Sequence, residues 1–249
     1  MEKEPKQKRP KLLFPSRVHE IAEVKHTFNE NHIKNETMLF SADYDFARKN
    51  GDAITNLFLD NIPEDWKQSK LIIDSRVHML MQGWSPCIPG WHHDDVPRSS
   101  NETQFNTKGQ PNYIDPEYYS EHLVFLVNPS VSPTEFLNRD IELKLPKQGE
   151  IIYEKWNKKI KNFIDDQGLF IHKDIVQAQE GKIYRMDYNT FHQGTPAVKN
   201  GWRFFIRASR FFDDPALTIP NDSRFQRRTG KNEIRRQVNV YMHDFEKGW

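Results

Sequence analysis

Cysteine is almost missing from this sequence, which has only Cys87 in 249 residues. A single cysteine excludes an intramolecular disulfide, and a reducing compartment fits this composition best. Long apolar runs are missing as well, so no segment approaches the length of a membrane span. The charged N-terminus lacks the apolar core of a signal peptide. We therefore expect a soluble cytoplasmic protein.

An excess of charge of one sign is also missing. The 36 basic and 35 acidic residues give a net charge of +1, which provides no global attraction to nucleic acid or to an anionic membrane. The aromatic share of 12% and the chain length are typical of a globular domain with a sizeable core. We expect one domain over residues 13–249, after a disordered charged segment at residues 1–12.

The spacing of apolar residues predicts helices first and mainly strands afterwards. Helical spacing occurs at residues 17–28, 52–61 and 155–165. Strands are predicted at residues 71–81, 122–127, 151–153, 175–179, 182–188 and 202–212. No alternation of strands and helices appears, which disfavours a parallel doubly wound sheet. The order favours a β-barrel or β-sandwich core with an N-terminal helical layer.

The most informative segment is PGWHHDDVPR, residues 89–98. Side chains of an extended segment repeat their direction every second residue, so His92 and Asp94 form a bidentate arm for a metal. His93 and Asp95 form the same arm one residue later. The residues alone therefore leave the register open, and a solvated polar loop is the alternative for the isolated motif.

A third metal ligand is predicted at His192, in the segment YNTFHQGTP that follows a predicted strand. Two histidines and one carboxylate leave three coordination positions open, which suits Fe(II) and oxygen chemistry. Three protein ligands and a water would also suit zinc, which the sequence does not exclude.

Two arginines share one face of the predicted strand at residues 202–212. Arg203, Phe205, Arg207 and Ser209 alternate along this strand and point the same way. Burying two arginines without partners is costly. An internal acid would offset the cost for one of them. A bound dicarboxylate offsets it better, because the guanidinium group matches a carboxylate bidentately.

The order of His-x-Asp, distal His and then Arg resembles the Fe(II)/2-oxoglutarate-dependent dioxygenase superfamily, over roughly residues 70–212. Trp91 before His92 is similar to the Trp-His-x-Asp form of phytanoyl-type members and favours the His92–Asp94 register. The resemblance implies a mainly β fold with flanking helices, built on a double-stranded β-helix (jelly-roll) core. Residues 213–249 would then be a C-terminal extension.

The resemblance also implies a role for each motif residue. His92, Asp94 and His192 would ligate Fe(II), and Arg203 would hold the far carboxylate of 2-oxoglutarate. Arg207 competes for this role, because Arg207-Ala208-Ser209 resembles the Arg-x-Ser element of other branches. The reaction would consume 2-oxoglutarate and O₂, hydroxylate an unidentified polar or anionic substrate, and release succinate and CO₂. Further candidates for the substrate or for the surroundings of the ligands are Arg76, His78, Arg98, Phe205 and Ser209.

Two other functions stay open. A cupin-type metal enzyme that does not use 2-oxoglutarate would share the metal ligands but would have no use for Arg203 and Arg207. A non-catalytic β-barrel binding module would rely on the basic tail at residues 222–249. That tail has few interleaved aromatic residues, which disfavours nucleic-acid binding. The substrate is expected to be a small molecule or a macromolecular side chain, and the sequence does not indicate the oligomeric state. The tail includes two pairs of adjacent arginines, Arg227 with Arg228 and Arg235 with Arg236.

Overall fold

The computed structural model describes residues 9–116, 118–166, 174–213 and 231–235. Residues 1–8 of the predicted disordered segment and Arg227, Arg228 and Arg236 of the basic tail lie outside these ranges. The prediction of disorder is wrong for Lys11 and Leu12, whose backbone pairs with a strand at residues 140–144. Among the described residues, no helix has both the length and the apolar character needed to cross a membrane.

Strands outnumber helices along the described chain, and the helices are mostly short. The strands are β1 (Lys11–Pro15), β2 (Val18–Glu23), β3 (Met38–Phe40), β4 (Ile72–Leu80), β5 (Tyr118–Val127), β6 (Thr134–Leu137), β7 (Asp140–Lys144), β8 (Ile175–Gln177), β9 (Lys182–Asp187), β10 (His192–Gly194), β11 (Gly201–Asp213) and β12 (Glu233–Arg235). The helices are α1 (Glu30–Asn35), α2 (Tyr44–Asn50), α3 (Ala53–Asn61), α4 (Glu64–Lys67) and α5 (Ile152–Asp166).

The described strands form antiparallel sheets. The largest has five strands in the order β2-β9-β5-β11-β4, and a second has three in the order β10-β6-β8. Two smaller sheets pair β1 with β7 and β12 with β3. The prediction of a mainly β fold with flanking helices is confirmed at this level. The double-stranded β-helix stays a prediction.

The five-stranded sheet has one apolar face and one face with buried charge. Side chains alternate across a strand, so successive residues of β11 go to opposite faces. Phe204 and Ile206 join the apolar core that includes Phe58 of α3. Arg203 and Arg207 lie on the other face and line a cavity. The helical layer therefore supports the sheet from behind, and the cavity lies in front of it.

Most of the predicted elements are confirmed, and two are wrong. Residues 17–28 contain β2 instead of a helix, because pairing with β9 satisfies the backbone groups of this segment. Residues 151–153 lie at the start of α5, where buried Ile152, Trp156 and Ile160 recur at helical spacing. The confirmed helices are α3 and α5, and the confirmed strands are β4, β5, β8, β9 and β11, of which β5 begins four residues before its predicted start.

Candidate metal centre and its cavity

The two predicted histidine ligands face each other across a short antiparallel bridge. The backbone N–H of His92 donates to the carbonyl of His192 at 3.0 Å, and that of His192 donates back at 3.1 Å. Residues paired in this way project their side chains to the same side. The ring centroids accordingly lie 4.6 Å apart. Two backbone hydrogen bonds thus bring together two ligands that are distant in the sequence.

Each imidazole is oriented by a backbone carbonyl two residues before it. Nδ1 of His92 contacts the carbonyl of Gly90 at 2.8 Å, and Nδ1 of His192 contacts the carbonyl of Thr190 at 3.0 Å. A carbonyl only accepts, so Nδ1 is the protonated nitrogen in both rings. In the neutral form of either ring the lone pair then lies on Nε2, the nitrogen that faces the third ligand. Such contacts orient metal-binding histidines in many proteins.

The position of the Gly90 carbonyl depends on glycine at this residue. Its φ of +99° is strained for other residues. A Cβ there would also lie 2.6 Å from the side chain of Asn157, which accepts a hydrogen bond from the backbone N–H of Trp91 at 2.5 Å. Gly90 therefore allows the turn and the close approach of α5 that together place His92.

Asp94 completes the group. One of its oxygens lies 3.3 Å from Nε2 of His192, and the other lies 4.0 Å from Nε2 of His92. A set of candidate ligand atoms from these three residues lies within 4.8 Å of one another. The structure thus brings together the three predicted ligands.

The alternative arm points elsewhere. Nε2 of His93 is 3.1 Å from the carbonyl of Asn189, so it donates and leaves Nδ1 to accept from the hydroxyl of Tyr113 at 2.7 Å. Asp95 lies against Arg207 at 3.3 Å. Among the described residues, the candidate ligand atoms that lie close together belong to His92, Asp94 and His192, the register that starts at His92.

The electrostatic surroundings favour protonation states that bind a metal. Burial, and then the neighbouring His192, lower the pKa of His92 to about 4, so its ring is neutral at pH 7. Burial acts to raise the pKa of Asp94, but Arg207 and His192 outweigh it and hold that pKa well below its usual range. Metal binding requires neutral imidazoles and an ionised carboxylate.

Arg207 is surrounded by acids. It forms ion pairs with Asp94, with Asp95 at 3.3 Å and with Asp74 at 3.5 Å. Burial acts to lower the pKa of Arg207, but Asp94 and Asp74 more than compensate and raise it. The charge of this guanidinium is thus neutralised inside the protein.

A buried histidine lies behind these acids. Nδ1 of His122 is 4.0 Å from a carboxylate oxygen of Asp95 and 2.9 Å from the hydroxyl of Ser209, and its Nε2 is 3.1 Å from the hydroxyl of Ser120. Burial, followed by Arg207, lowers the pKa of His122 to about 3. His122 is therefore neutral and hydrogen-bonded on both sides. We call Arg207, Asp74, Asp94, Asp95 and His122 the closed network.

Arg203 has very different surroundings. It is 2% exposed, and its hydrogen bond goes to the hydroxyl of Thr134 at 2.5 Å, while Nε has no partner. Burial lowers its pKa to about 10, so it stays charged at pH 7. The nearby Cys87 does not offset this charge, because burial raises the pKa of its thiol. No carboxylate pairs with Arg203 among the described residues.

His78 lies directly opposite Arg203 in the pairing of β4 with β11. It is 3% exposed, and both of its ring nitrogens are buried without a hydrogen bond of normal geometry. Burial, then Arg203 and Arg76, lower its pKa to about 3, so the ring is neutral. We call His78 and Arg203 the open pair.

The open pair, Arg207 and the three candidate ligands line one cavity of about 790 Å³. Arg76, Arg98 and Phe205 also line it, as expected for residues near a substrate. Ser209 does not, because its side chain is buried against His122. Of the two places predicted for Ser209, near the substrate or in the surroundings of the ligands, its contact with the closed network corresponds to the second.

Sequence reasoning missed the acids around Arg207 and the tyrosines beside His93. The hydroxyl of Tyr113 lies 2.7 Å from that of Tyr153, whose oxygen is 3.2 Å from the backbone carbonyl oxygen of His93. These tyrosines are isolated in the sequence and carry no motif. Asp74 did carry a signal, because it interrupts an apolar strand on the same face as Arg76 and His78.

The residues present fit a divalent metal ion and a dianionic ligand. Two imidazoles and one carboxylate are donors that both Fe(II) and zinc accept. Arg203, a buried cation without a carboxylate partner among the described residues, fits a carboxylate that reaches the same cavity. The donor set alone does not select between the two metals, whereas the unpaired arginine indicates a second, anionic ligand.

Comparison with known proteins gives only weak similarities. No family model and no curated protein matches the chain. EvdO2 from Micromonospora carbonacea var. aurantiaca, solved in complex with 2-oxoglutarate, is 13% identical over 62% of this chain and 56% of its own, with a TM-score of 0.32. AviO1 from Streptomyces viridochromogenes Tue57 is 11% identical over 82% of this chain and 92% of its own, with a TM-score of 0.37. EvdMO1 is 14% identical over 64% of this chain and 32% of its own, with a TM-score of 0.33.

The chain therefore spans about half the length of EvdO2 and about a third of the length of EvdMO1. Identities and TM-scores this low do not indicate a function by themselves. We base the functional proposal on the residues of the site.

Proposed function

We propose that this protein is a non-haem Fe(II)- and 2-oxoglutarate-dependent oxygenase of the hydroxylase type, built on a double-stranded β-helix core. One observation carries the proposal. Arg203, a buried cation without a carboxylate partner among the described residues, lines the same cavity as His92, Asp94 and His192. A dicarboxylate that reaches both the metal and Arg203 accounts for the two features together.

The proposal assigns separate roles to the metal ligands and to Arg203. His92, Asp94 and His192 would hold Fe(II), and Arg203 would hold the far carboxylate of 2-oxoglutarate. When bound, Fe(II) supplies the redox chemistry by which O₂ converts 2-oxoglutarate to succinate and CO₂ while one oxygen atom enters a C–H bond of the substrate.

The rest of the chain orients and shields these groups. The backbone carbonyls of Gly90 and Thr190 fix the two imidazoles with Nε2 toward the cavity. Arg207 keeps Asp94 ionised. Phe205 forms part of the cavity wall and helps to exclude water from the reacting atoms.

The alternative cupin-type metal enzyme would use the same three ligands. It leaves Arg203 without a function, because such a site needs no grip for a second carboxylate. Arg207 does not distinguish the proposed oxygenase from the cupin-type enzyme, because acids already neutralise its charge. The same unpaired arginine weighs against zinc hydrolysis and against a non-catalytic binding module.

We also propose a polar or anionic substrate. Besides the two arginines of β11, the cations Arg76, Arg98 and Lys231 line the cavity, together with the acids Asp74, Asp94, Asp95 and Glu154. Lys231 forms no ion pair with a carboxylate among the described residues, and it lies 5.6 Å from the ring of Phe40. Cations in the wall of a cavity favour negatively charged ligands.

The proposal is tested by adding Fe(II) and then 2-oxoglutarate to the metal-stripped protein under anaerobic conditions and recording the visible spectrum. We expect a weak charge-transfer band in the wild-type protein, no band in His192→Ala, and about 10- to 100-fold weaker 2-oxoglutarate binding in Arg203→Gln. Matched controls are His19→Ala and Arg185→Gln on β2 and β9, which do not line the cavity and should behave as wild type.

Each other outcome contradicts part of the proposal. If iron binds but the charge-transfer band does not form, the 2-oxoglutarate assignment is wrong and the cupin-type metal enzyme is favoured. If the protein does not bind iron, the three ligands do not form a metal site.

A further inference from the structure

His78 is a buried polar residue for which the protein offers no partner. It faces Arg203 across β4 and β11 and lines the cavity, yet neither of its ring nitrogens makes a hydrogen bond of normal geometry. The carbonyl of Pro86 lies near the ring but outside that geometry. Buried polar groups are almost always hydrogen-bonded, so such an exception needs a cause.

The exception does not stand alone, because the neighbouring Arg203 is a buried cation without a carboxylate partner among the described residues. Its Nε also has no hydrogen-bond partner, a feature that it shares with Arg207. His78 and Arg203 therefore present unused hydrogen-bonding groups and an unpaired charge to one cavity. A polar ligand between the two strands satisfies them together.

The chemistry of the two side chains defines the ligand. The buried ring of His78 is neutral and carries one N–H, since burial lowers its pKa far below neutrality. Arg203 is a fixed cation with several N–H donors and no acceptor. The combination repels cations and presents convergent donors, which is the arrangement that recognises a carboxylate.

We infer that His78 and Arg203 form one carboxylate subsite, in which an N–H of His78 donates to the same far carboxylate of 2-oxoglutarate that Arg203 holds. The inference rests on the proposed function, and it adds a residue that selects 2-oxo acids with a second carboxylate. His78 contributes binding and selectivity, while the metal ligands hold the keto-acid end.

The experiment compares two ligands on the anaerobic Fe(II)-loaded protein. 2-Oxoglutarate carries the second carboxylate, and pyruvate has the same keto-acid end without it. His78→Leu removes the donor, and His78→Gln keeps an N–H donor on a side chain of different shape. His26→Leu is the matched control, because it replaces a buried imidazole that does not line the cavity.

We expect His78→Leu to bind 2-oxoglutarate about tenfold more weakly than wild type, while its affinity for pyruvate changes less than about twofold. His78→Gln should recover part of the loss, and His26→Leu should match wild type for both ligands. The inference is overturned if His78→Leu binds 2-oxoglutarate normally. It is also overturned if both ligands are weakened equally, since the effect would then lie at the metal or in the fold.

A second arm separates this inference from the proposed function. Glutarate, which has two carboxylates and no keto group, is added to the metal-free protein, and its thermal stabilisation is measured. Stabilisation that is lost in both His78→Leu and Arg203→Gln supports the subsite even if wild type shows no 2-oxoglutarate band. Stabilisation that survives in His78→Leu, or that is absent in wild type, contradicts it.

Discussion

The open pair and the closed network lie on the same face of the same sheet, yet they satisfy their charges in opposite ways. Arg203 and Arg207 are four residues apart on β11, and both are buried. Arg207 has three carboxylates around it, whereas Arg203 has a hydroxyl and a neutral imidazole. Burial lowers the pKa of Arg203, whereas the acids raise the pKa of Arg207.

One strand register produces this difference. In the pairing of β4 with β11, Asp74 lies opposite Arg207 and His78 lies opposite Arg203. In the closed network, acids neutralise the charge of Arg207 before any ligand arrives, although its Nε has no hydrogen-bond partner, and the network serves to hold Asp94. The open pair is left for a ligand to complete. A buried charge that the fold satisfies is structural, whereas one that the fold leaves unsatisfied marks a binding site.

The largest effect is expected when each of the two arginines, Arg203 and Arg207, is replaced with methionine, which tests this contrast directly. Arg207→Met leaves three carboxylates without their cation, and breaking a buried ion pair in this way costs about 3–5 kcal/mol. Arg203→Met removes a cation that has no acid, so the free energy of unfolding should stay the same or rise by about 1 kcal/mol. Urea unfolding of the metal-free protein measures both.

The metal-free protein is needed because a bound ion would add stability through its own affinity. Equal losses in the two variants would mean that Arg203 has an acid partner, and the distinction between the open pair and the closed network would then fail.

A pH titration of stability gives the next effect in size. The pKa of His78 is about 3 in the folded protein, against an ordinary value of 6.5. In the unfolded chain, His78 therefore takes up a proton near pH 6.5, whereas in the folded protein it does so only near pH 3. The stability linked to this residue is complete above pH 6.5 and is lost as the pH falls toward 3, with about 2 kcal/mol lost by pH 5.

Between pH 6.5 and 5, the free energy of unfolding of His78→Leu should therefore fall by about 2 kcal/mol less than that of wild type. His122→Leu should show a similarly reduced fall, since the pKa of His122 is also about 3. The two differ at pH 7.5, where His122→Leu lowers stability because Ser120 and Ser209 lose their partner. Profiles as steep as that of wild type would show that these histidines are not buried in the neutral form.

Much of this site could be predicted from local pattern. The spacing of His92 and Asp94 and the shared face of Arg203 and Arg207 are properties of extended segments with a period of two. His192 is indicated by its position after a predicted strand and by the resemblance to the dioxygenase superfamily. The structure places the three candidate ligands together and both arginines on the cavity face.

Whether each arginine has acid partners could not be predicted, because this depends on the pairing of strands that are distant in the sequence. Shifting β4 by four residues against β11 would place Asp74 opposite Arg203 while keeping every side chain on its predicted face. The choice between His92 and His93 is equally non-local, since the backbone bridge to His192 fixes the first and Asn189 holds the second. The helix predicted at residues 17–28 failed for the same reason, because β9 turns this segment into a strand.

The smallest expected effect compares two buried serines: Ser209, which is hydrogen-bonded to His122 of the closed network, and Ser85, which precedes Pro86 of the cavity wall. Ser209→Ala removes the partner of Nδ1 of His122 and should lower the free energy of unfolding by about 1 kcal/mol. Ser85 is also fully buried, but its hydroxyl has no partner, so Ser85→Ala should leave stability unchanged or slightly raised. Both substitutions delete one oxygen from a buried site, which makes urea unfolding of the pair a matched measurement. A loss in Ser209→Ala alone means that the closed network is held together by its hydrogen bonds. Equal effects would mean that burial, and not hydrogen bonding, determines how these groups contribute, and the argument that the unpartnered groups of His78 and Arg203 await a ligand would lose its physical basis.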